Sequence, residues 1–290
     1  MAFVISFIEQ GLIYGIMALG MYITYKILDF PDMTVDGCFP MGVALSVVMI
    51  RQGVFPCATL PICFLCGAAV GMITGIINVY GKVRDLLAGI IMMTGLYSVN
   101  LMIAGQANLP MYDYFNIFDN NLLNGIFPES MRGYQRLIVL IVITLVVKWI
   151  LDLYMKTKSG YMLRAVGDND LLVTSMGVDK GKVRIIGLAI AKGLVCLSGC
   201  IFAQQQGYFE ISMGTGTAVI GLASVIIGTN LNKHCKFINV TTMVIIGAII
   251  YRACVALALK FGMQPALMKL ISASILLVIL LATRDRKKAS

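Results

Sequence analysis

Runs of about twenty apolar residues recur along the whole chain, and that pattern excludes most folds. A helix needs roughly 20 apolar residues to cross a hydrocarbon core of ~30 Å, since it rises about 1.5 Å per residue. Such runs occupy residues 3–25, 57–79, 86–104, 134–154, 185–206, 237–259 and 266–283. They are too long and too frequent to be the core helices of a soluble domain. Two further runs, 41–50 and 215–227, are too short for a full crossing. Only 13% of the residues are charged, against roughly 25% in an average soluble domain. The expected fold is all-α: a single polytopic membrane domain, residues 1–290, with about eight to nine transmembrane helices, some of them short and broken.

The net charge of +9 would point to nucleic acid in a soluble protein. In a membrane chain it reads as a topology signal and as contact with anionic lipid, and no nucleic-acid partner is expected. Lys26, Lys82, Arg84, Lys233, Lys236 and the four C-terminal bases flank one set of span ends, together with six bases in residues 156–184. Only Arg51, Arg132, Arg136 and Lys260 flank the other set. Cytoplasmic loops carry the excess of Lys and Arg, so the N-terminus is expected outside, with nine crossings. Spans one to four and six to nine then run in opposite directions. The short, interrupted element is second in each set, an inverted-repeat-like arrangement.

Corresponding interrupted segments in two inverted halves point to a translocation path, because irregular backbone at membrane depth must line a cavity or be buried in protein. Residues 29–40 are read as a break, which makes Thr34, Asp36 and Gly37 candidate path residues. The second interrupted run contributes Gly216 and Gly221. A plain turn before a short tilted helix is the alternative for residues 34–37. Four bases lie within apolar runs. Lys148 and Lys192 are expected to snorkel to the cytoplasmic rim, and Lys269 lies near the outer end of its span. Arg252 is deeper and is a further path candidate. Gln204, Gln205, Gln206 and Glu210 are expected to face mostly water. Residues 105–133 are poor in bases and carry Tyr112, Tyr114, Phe115 and Phe118, which suits an outer interfacial segment.

The polar stretch 156–184 joins two long spans and is expected to be cytoplasmic. Within it, Asp168 or Asn169 can cap a short helix running through Asp170, Leu171, Leu172 and Ser175 to Met176, with Gly177 just past its last turn. Such a helix is either a surface element or a docking knob for another protein. There is no GxxxxGK[ST] phosphate loop, no HExxH and no GxSxG. The single histidine, His234, argues against metal or His-dependent chemistry, and no catalytic residue or metal ligand is assigned. Cys63 with Cys66, and Cys196 with Cys200, share helix faces without a histidine or carboxylate nearby and are read as packing residues. The first run lacks a basic leader and a cleavage site and is expected to remain as a span.

The run RAVGDNDLLVTSMGVDKGKVRIIGLAIAKGLVCLSGCIFA, residues 164–203, resembles the cytoplasmic loop and following helix of bacterial ABC-importer permeases of the branched-chain amino acid and ribose type. TVDGCFPMGVAL, residues 34–45, is similar to the T-V-D-G segment of the tryptophan/tyrosine-type subgroup, and GLASVIIG, residues 221–228, extends the likeness. The resemblance implies that residues 168–177, with Gly167 before them, form a coupling helix seated in a groove on a cytoplasmic ABC ATPase. It implies that ATP and magnesium are bound by that ATPase and not by this chain. It also implies an extracytoplasmic substrate-binding protein, a second permease copy or related partner, a place in the bacterial plasma membrane, and an amino-acid substrate of the tryptophan or tyrosine kind. A stand-alone secondary carrier or channel, and a membrane-embedded enzyme, are the competing readings.

Overall fold

The computed structural model describes residues 2–112, 114–118, 134–175, 177–232 and 238–260, with isolated residues between 270 and 277. The chain is an all-α polytopic bundle. Among the described residues, seven helical stretches are long and apolar enough to cross a membrane: Val4–Ile27, Pro56–Val79, Asp85–Ala104, Gln135–Met155, Lys180–Gln206, Ile211–Asn232 and Val240–Lys260. The run expected at 266–283 lies mostly outside the described residues, and the bases at 233–237 and the C-terminal ones lie outside them.

Helix α1 (Ala2–Met21) continues into a π-turn, Tyr22–Ile27. An irregular segment leads to α2 (Val35–Arg51). Then come α3 (Pro56–Val79), α4 (Asp85–Ala104) and the three-residue strand β1 (Asn108–Pro110). Helix α5 (Gln135–Met155) is followed by two short helices, α6 (Lys158–Asp168) and α7 (Asp170–Ser175). The long α8 (Lys180–Gln206) leads through β2 (Tyr208–Glu210) and a 3-10 turn (Ile211–Gly214) into α9 (Thr217–Asn232). Helix α10 (Val240–Lys260) follows.

Helix α8 is the most enclosed span, and glycines explain how its neighbours reach it. A Cβ on Gly71 of α3 would strike the carbonyl of Leu188, and one on Gly42 of α2 the carbonyl of Cys196. Gly20 of α1 meets the Ala191 carbonyl in the same way. Water expulsion gives no drive between helices in lipid, so backbone-to-backbone approach through small residues supplies the packing. On the far side of α1, Gly11 and Gly15 receive Ile249 and Ile245 of α10, and Gly247 of α10 lies on the Ser224 carbonyl of α9. Helix α5 is the least enclosed span. It is tied to the start of α10 through Asp152, which accepts from Thr241 Oγ1 (2.7 Å) and Asn239 Nδ2 (3.3 Å).

Three expectations about polar groups are corrected. Lys192 does not snorkel: its side chain and that of Asp32 are fully buried and form an ion pair between α8 and the segment before α2. A stem that starts deep inside the bundle meets a carboxylate sooner than it can reach water. Lys148 also stays local, 3.0 Å from Asp152 one turn on. Gln204 and Gln205 do not face water. Gln204, 1% exposed, donates to Thr59 Oγ1 (3.0 Å) and accepts from the Ile117 amide, and Gln205 donates to Glu9 at 3.0 Å. Cys63, Cys196 and Cys200 are buried free thiols, and the described residues contain no group of three or more metal-capable side chains.

Candidate coupling segment and translocation path

The break before α2 is shorter than the sequence indicated. Residues 28–34 are irregular, but α2 already begins at Val35 and carries Pro40 within it. Pro40, in the second turn, lacks the N–H that would bond the Asp36 carbonyl, so α2 goes without one backbone hydrogen bond there. Thr34 is therefore the N-cap residue, and Asp36 and Gly37 lie in the first turn. The irregular segment is half-buried: Phe30 and Thr34 are 0% exposed, while Asp29, Pro31 and Met33 reach the surface. Two of its backbone amides are satisfied locally, with the Thr34 amide donating to Asp32 Oδ1 at 3.0 Å and the Phe30 amide to the Thr24 carbonyl at 2.9 Å.

Helix α9 begins after a 3-10 turn and after Gly216, whose φ of +89° is the left-handed conformation that favours glycine. The two interrupted elements meet here. Asp36 accepts from the Gly216 amide (2.9 Å), the Ala218 amide (2.7 Å) and Thr217 Oγ1 (3.0 Å). A carboxylate from α2 thus caps the N-terminus of α9, where the helix dipole favours negative charge. Gly214 completes the junction, because a Cβ there would strike the Asp36 carbonyl and the Pro40 ring. No short-range sequence signal could pair Asp36 with residues some 180 positions away.

The other path candidates lie around this junction and not all in one place. The Gly37 carbonyl accepts from Asn100 Nδ2 of α4 at 2.9 Å. Gly221, one turn into α9, faces Met17 and Met21 of α1. Arg252 of α10 is 7% exposed, with its guanidinium 3.8 Å from the centroid of the Tyr14 ring, a cation–π contact. Tyr14 in turn stacks on Phe39 of α2 at 5.8 Å, and both rings touch Phe202 of α8. This aromatic cluster was not legible in sequence, since its members come from three separate helices.

The polar stretch 156–184 is two helices and not one. Thr157 caps α6 by accepting from the Gly160 amide, and Asp179 caps α8 by accepting from the Gly181 and Lys182 amides. Asp168 ends α6 and so does not cap α7; Asn169, in extended conformation, is the joint between them. Gly177 has φ +75° just past α7, as a helix-ending glycine should. Met176 lies outside the described residues, and the side chains of Asp170, Leu171 and Leu172 are likewise not described. Val173 is fully buried while Thr174 and Ser175 are exposed.

Helix α6 turns Gly160, Leu163 and Val166 inward. Gly167 is pressed against the Ile27 carbonyl at the end of the π-turn, where any Cβ would collide. Leu163 meets Gly187 of α8 and Leu28 from the other side. The polar stretch therefore rests directly on the end of the first span. At the opposite end of the bundle, β1 and β2 pair antiparallel, Leu109 opposite Phe209, and join the exits of α4 and α8. Tyr112 and Phe115 are exposed beside them, and burial, followed by the Glu210 carboxylate, pushes the Tyr208 phenol above its ordinary value.

The comparisons with known proteins agree with this architecture. Residues 3–280 match the family described as branched-chain amino acid transport system, permease component. The chain is 40% identical over 280 residues to the tyrosine transport system permease protein of Clostridioides difficile, covering 97% of this chain and 91% of that one. It is 24% identical over 228 residues to the ribose import permease protein of Haemophilus influenzae, covering 78% and 68%. To an inner membrane ABC transporter permease protein of Escherichia coli it is 26% identical over 224 residues, covering 75% and 64%. No solved structure matches. Matched over nearly its whole length, this polytopic chain belongs to the permease family described as branched-chain amino acid transport system, permease component.

Proposed function

We propose that this chain forms the translocation path of an ATP-driven importer for an aromatic amino acid of the tyrosine kind, and that its α6–α7 stretch receives the stroke of a separate cytoplasmic ABC ATPase. Hydrolysis of ATP with magnesium belongs to that subunit. An extracytoplasmic binding protein delivers the substrate to the face carrying β1, β2, Tyr112 and Phe115. A second permease copy, identical or related, supplies the other wall of the path. The substrate class rests on the tyrosine permease relative.

The observation that carries the coupling reading is the seat of α6. Gly167 lies against the Ile27 carbonyl, so a push on α6–α7 meets the π-turn of α1 without an intervening side chain. From that turn the chain runs through segment 28–34, pinned to α8 by the buried pair Asp32 and Lys192, into α2. Asp36 then joins α2 to α9. A contiguous track therefore links the cytoplasmic helices to the two interrupted elements. π-turns are frequent at functional sites, and irregular backbone inside a membrane bundle is where helices re-aim.

The test is copurification of the full chain with its cognate ATPase. Gly177→Trp and Gly177→Ala share the same backbone strain at positive φ, and only Trp adds bulk where nothing lies within 4 Å of a Cβ. Loss of the ATPase with Trp and its retention with Ala is the expected outcome. Equal retention in both contradicts the docking role.

A further inference from the structure

A cleft of about 380 Å³ opens at the basic end of the bundle, where α3 ends and α8 begins. Its wall is formed by Lys82, Lys180 and Arg184, with Asp179 and Asn78 between them. These three bases face Asp179 in the lining and Asp85 behind Arg184, so the bases outnumber the carboxylates three to two. Arg184 is held in place by Asn78 Oδ1 at 3.4 Å and Asp85 Oδ1 at 3.8 Å. Lys82 sits in a left-handed turn, φ +52°, an uncommon conformation for a residue with a side chain. Its side chain and that of Lys180 are exposed at the mouth. The amide-rich N-terminus of α8 adds positive potential from the same side.

The level of this cleft decides what it meets. Helix α3 leaves the apolar zone at Val79 and α8 enters it at Lys180, so the cleft lies at the headgroup layer. One and two turns deeper, α3 exposes Ile76 and Ile73; α4 exposes Leu86 and Leu87 in its first turn and Ile90 and Ile91 in the next. A positively charged notch directly above exposed aliphatic side chains matches both halves of a phospholipid. Basic pockets between transmembrane helices on the cytoplasmic side bind acidic headgroups, each base near the surface being worth about fivefold in affinity.

We propose that this cleft is a binding site for the phosphodiester of an anionic membrane lipid, held by Lys82, Lys180 and Arg184, with its acyl chains along the exposed face of α3 and α4. The site is distinct from the path and from the α6–α7 stretch, and it would fix the α3–α4 turn relative to the start of α8.

The experiment is native mass spectrometry of the purified full chain titrated with phosphatidylglycerol, with phosphatidylcholine and with inorganic phosphate, alone and as competitor. The wild type should retain phosphatidylglycerol over phosphatidylcholine, and millimolar phosphate should not displace it. Lys82→Gln with Lys180→Gln should weaken retention by about 25-fold. Lys156→Gln with Lys158→Gln, outside the cleft, should leave it unchanged. Equal retention of both lipids, or no change in the Lys82→Gln, Lys180→Gln chain, overturns the proposal. Displacement by phosphate at comparable concentration overturns it in favour of a soluble phosphate group. Unchanged lipid retention with loss of the ATPase on copurification overturns it in favour of a subunit contact.

Discussion

Lys192→Met breaks the one ion pair among the described residues whose two side chains are both fully buried. The change removes the ammonium but keeps an unbranched apolar stem of similar length, so α8 loses little packing. Asp32 is left with one hydrogen bond, from the Thr34 amide, and an unpaired charge that water cannot reach. Removing one partner of a buried pair costs about 3–5 kcal/mol, because the remaining charge stays desolvated. Asp32→Asn should cost a comparable amount, since its Oδ1 can still accept from Thr34 while Lys192 is stranded. The double substitution removes both charges and leaves neither uncompensated. Its cost should fall below the sum of the singles by about 2–3 kcal/mol, a coupling expected of groups in direct contact. The assay is equilibrium unfolding of the detergent-purified chain by sodium dodecyl sulfate, followed by circular dichroism, for all four members of the cycle. Additivity within about 0.5 kcal/mol would refute the reasoning, because the two groups would then not be interacting.

Other perturbations separate packing from function. Gly71→Leu drives a branched side chain into the Leu188 carbonyl and should separate α3 from α8, read as loss of the monodisperse folded chain on gel filtration. Asp36→Ala removes three hydrogen bonds at the α9 N-terminus and should cost about 1–2 kcal/mol in the same unfolding assay, with Asp36→Asn losing less. Gly167→Val lifts α6 from the Ile27 carbonyl; it should leave ATPase copurification intact while uncoupling hydrolysis from uptake.

Much of the architecture was legible because the bilayer imposes its own length on a helix. The starts and ends of α3, α4, α5 and α10 fall within a few residues of the apolar runs that announced them. The start of α2 was misplaced by six residues, since Asp36 and Pro40 look like breakers locally. In the folded bundle Asp36 is engaged by the start of α9, a contact with no local trace. The same limit explains the polar groups. Lys192 and Gln204 read as rim residues by position, yet both are buried because a partner waits in another helix: Asp32 in one case, Thr59 and the Ile117 amide in the other. Among the candidate path residues, Asp36 and Gly216 do come together, while Arg252 joins through an aromatic cluster that only the folded bundle assembles. In the polar stretch, the glycine past α7 was visible from its type, but the joint at Asn169 and the seat of Gly167 were not.

The account depends most on the source of energy lying outside this chain. Proteoliposomes containing the purified permease with its ATPase, supplied with the binding protein on the opposite face, measure this directly through radiolabelled tyrosine. Accumulation above the external concentration should require ATP and magnesium on the side of α6–α7, and should vanish when the ATPase is omitted. Accumulation by the permease alone, without nucleotide, would contradict the account.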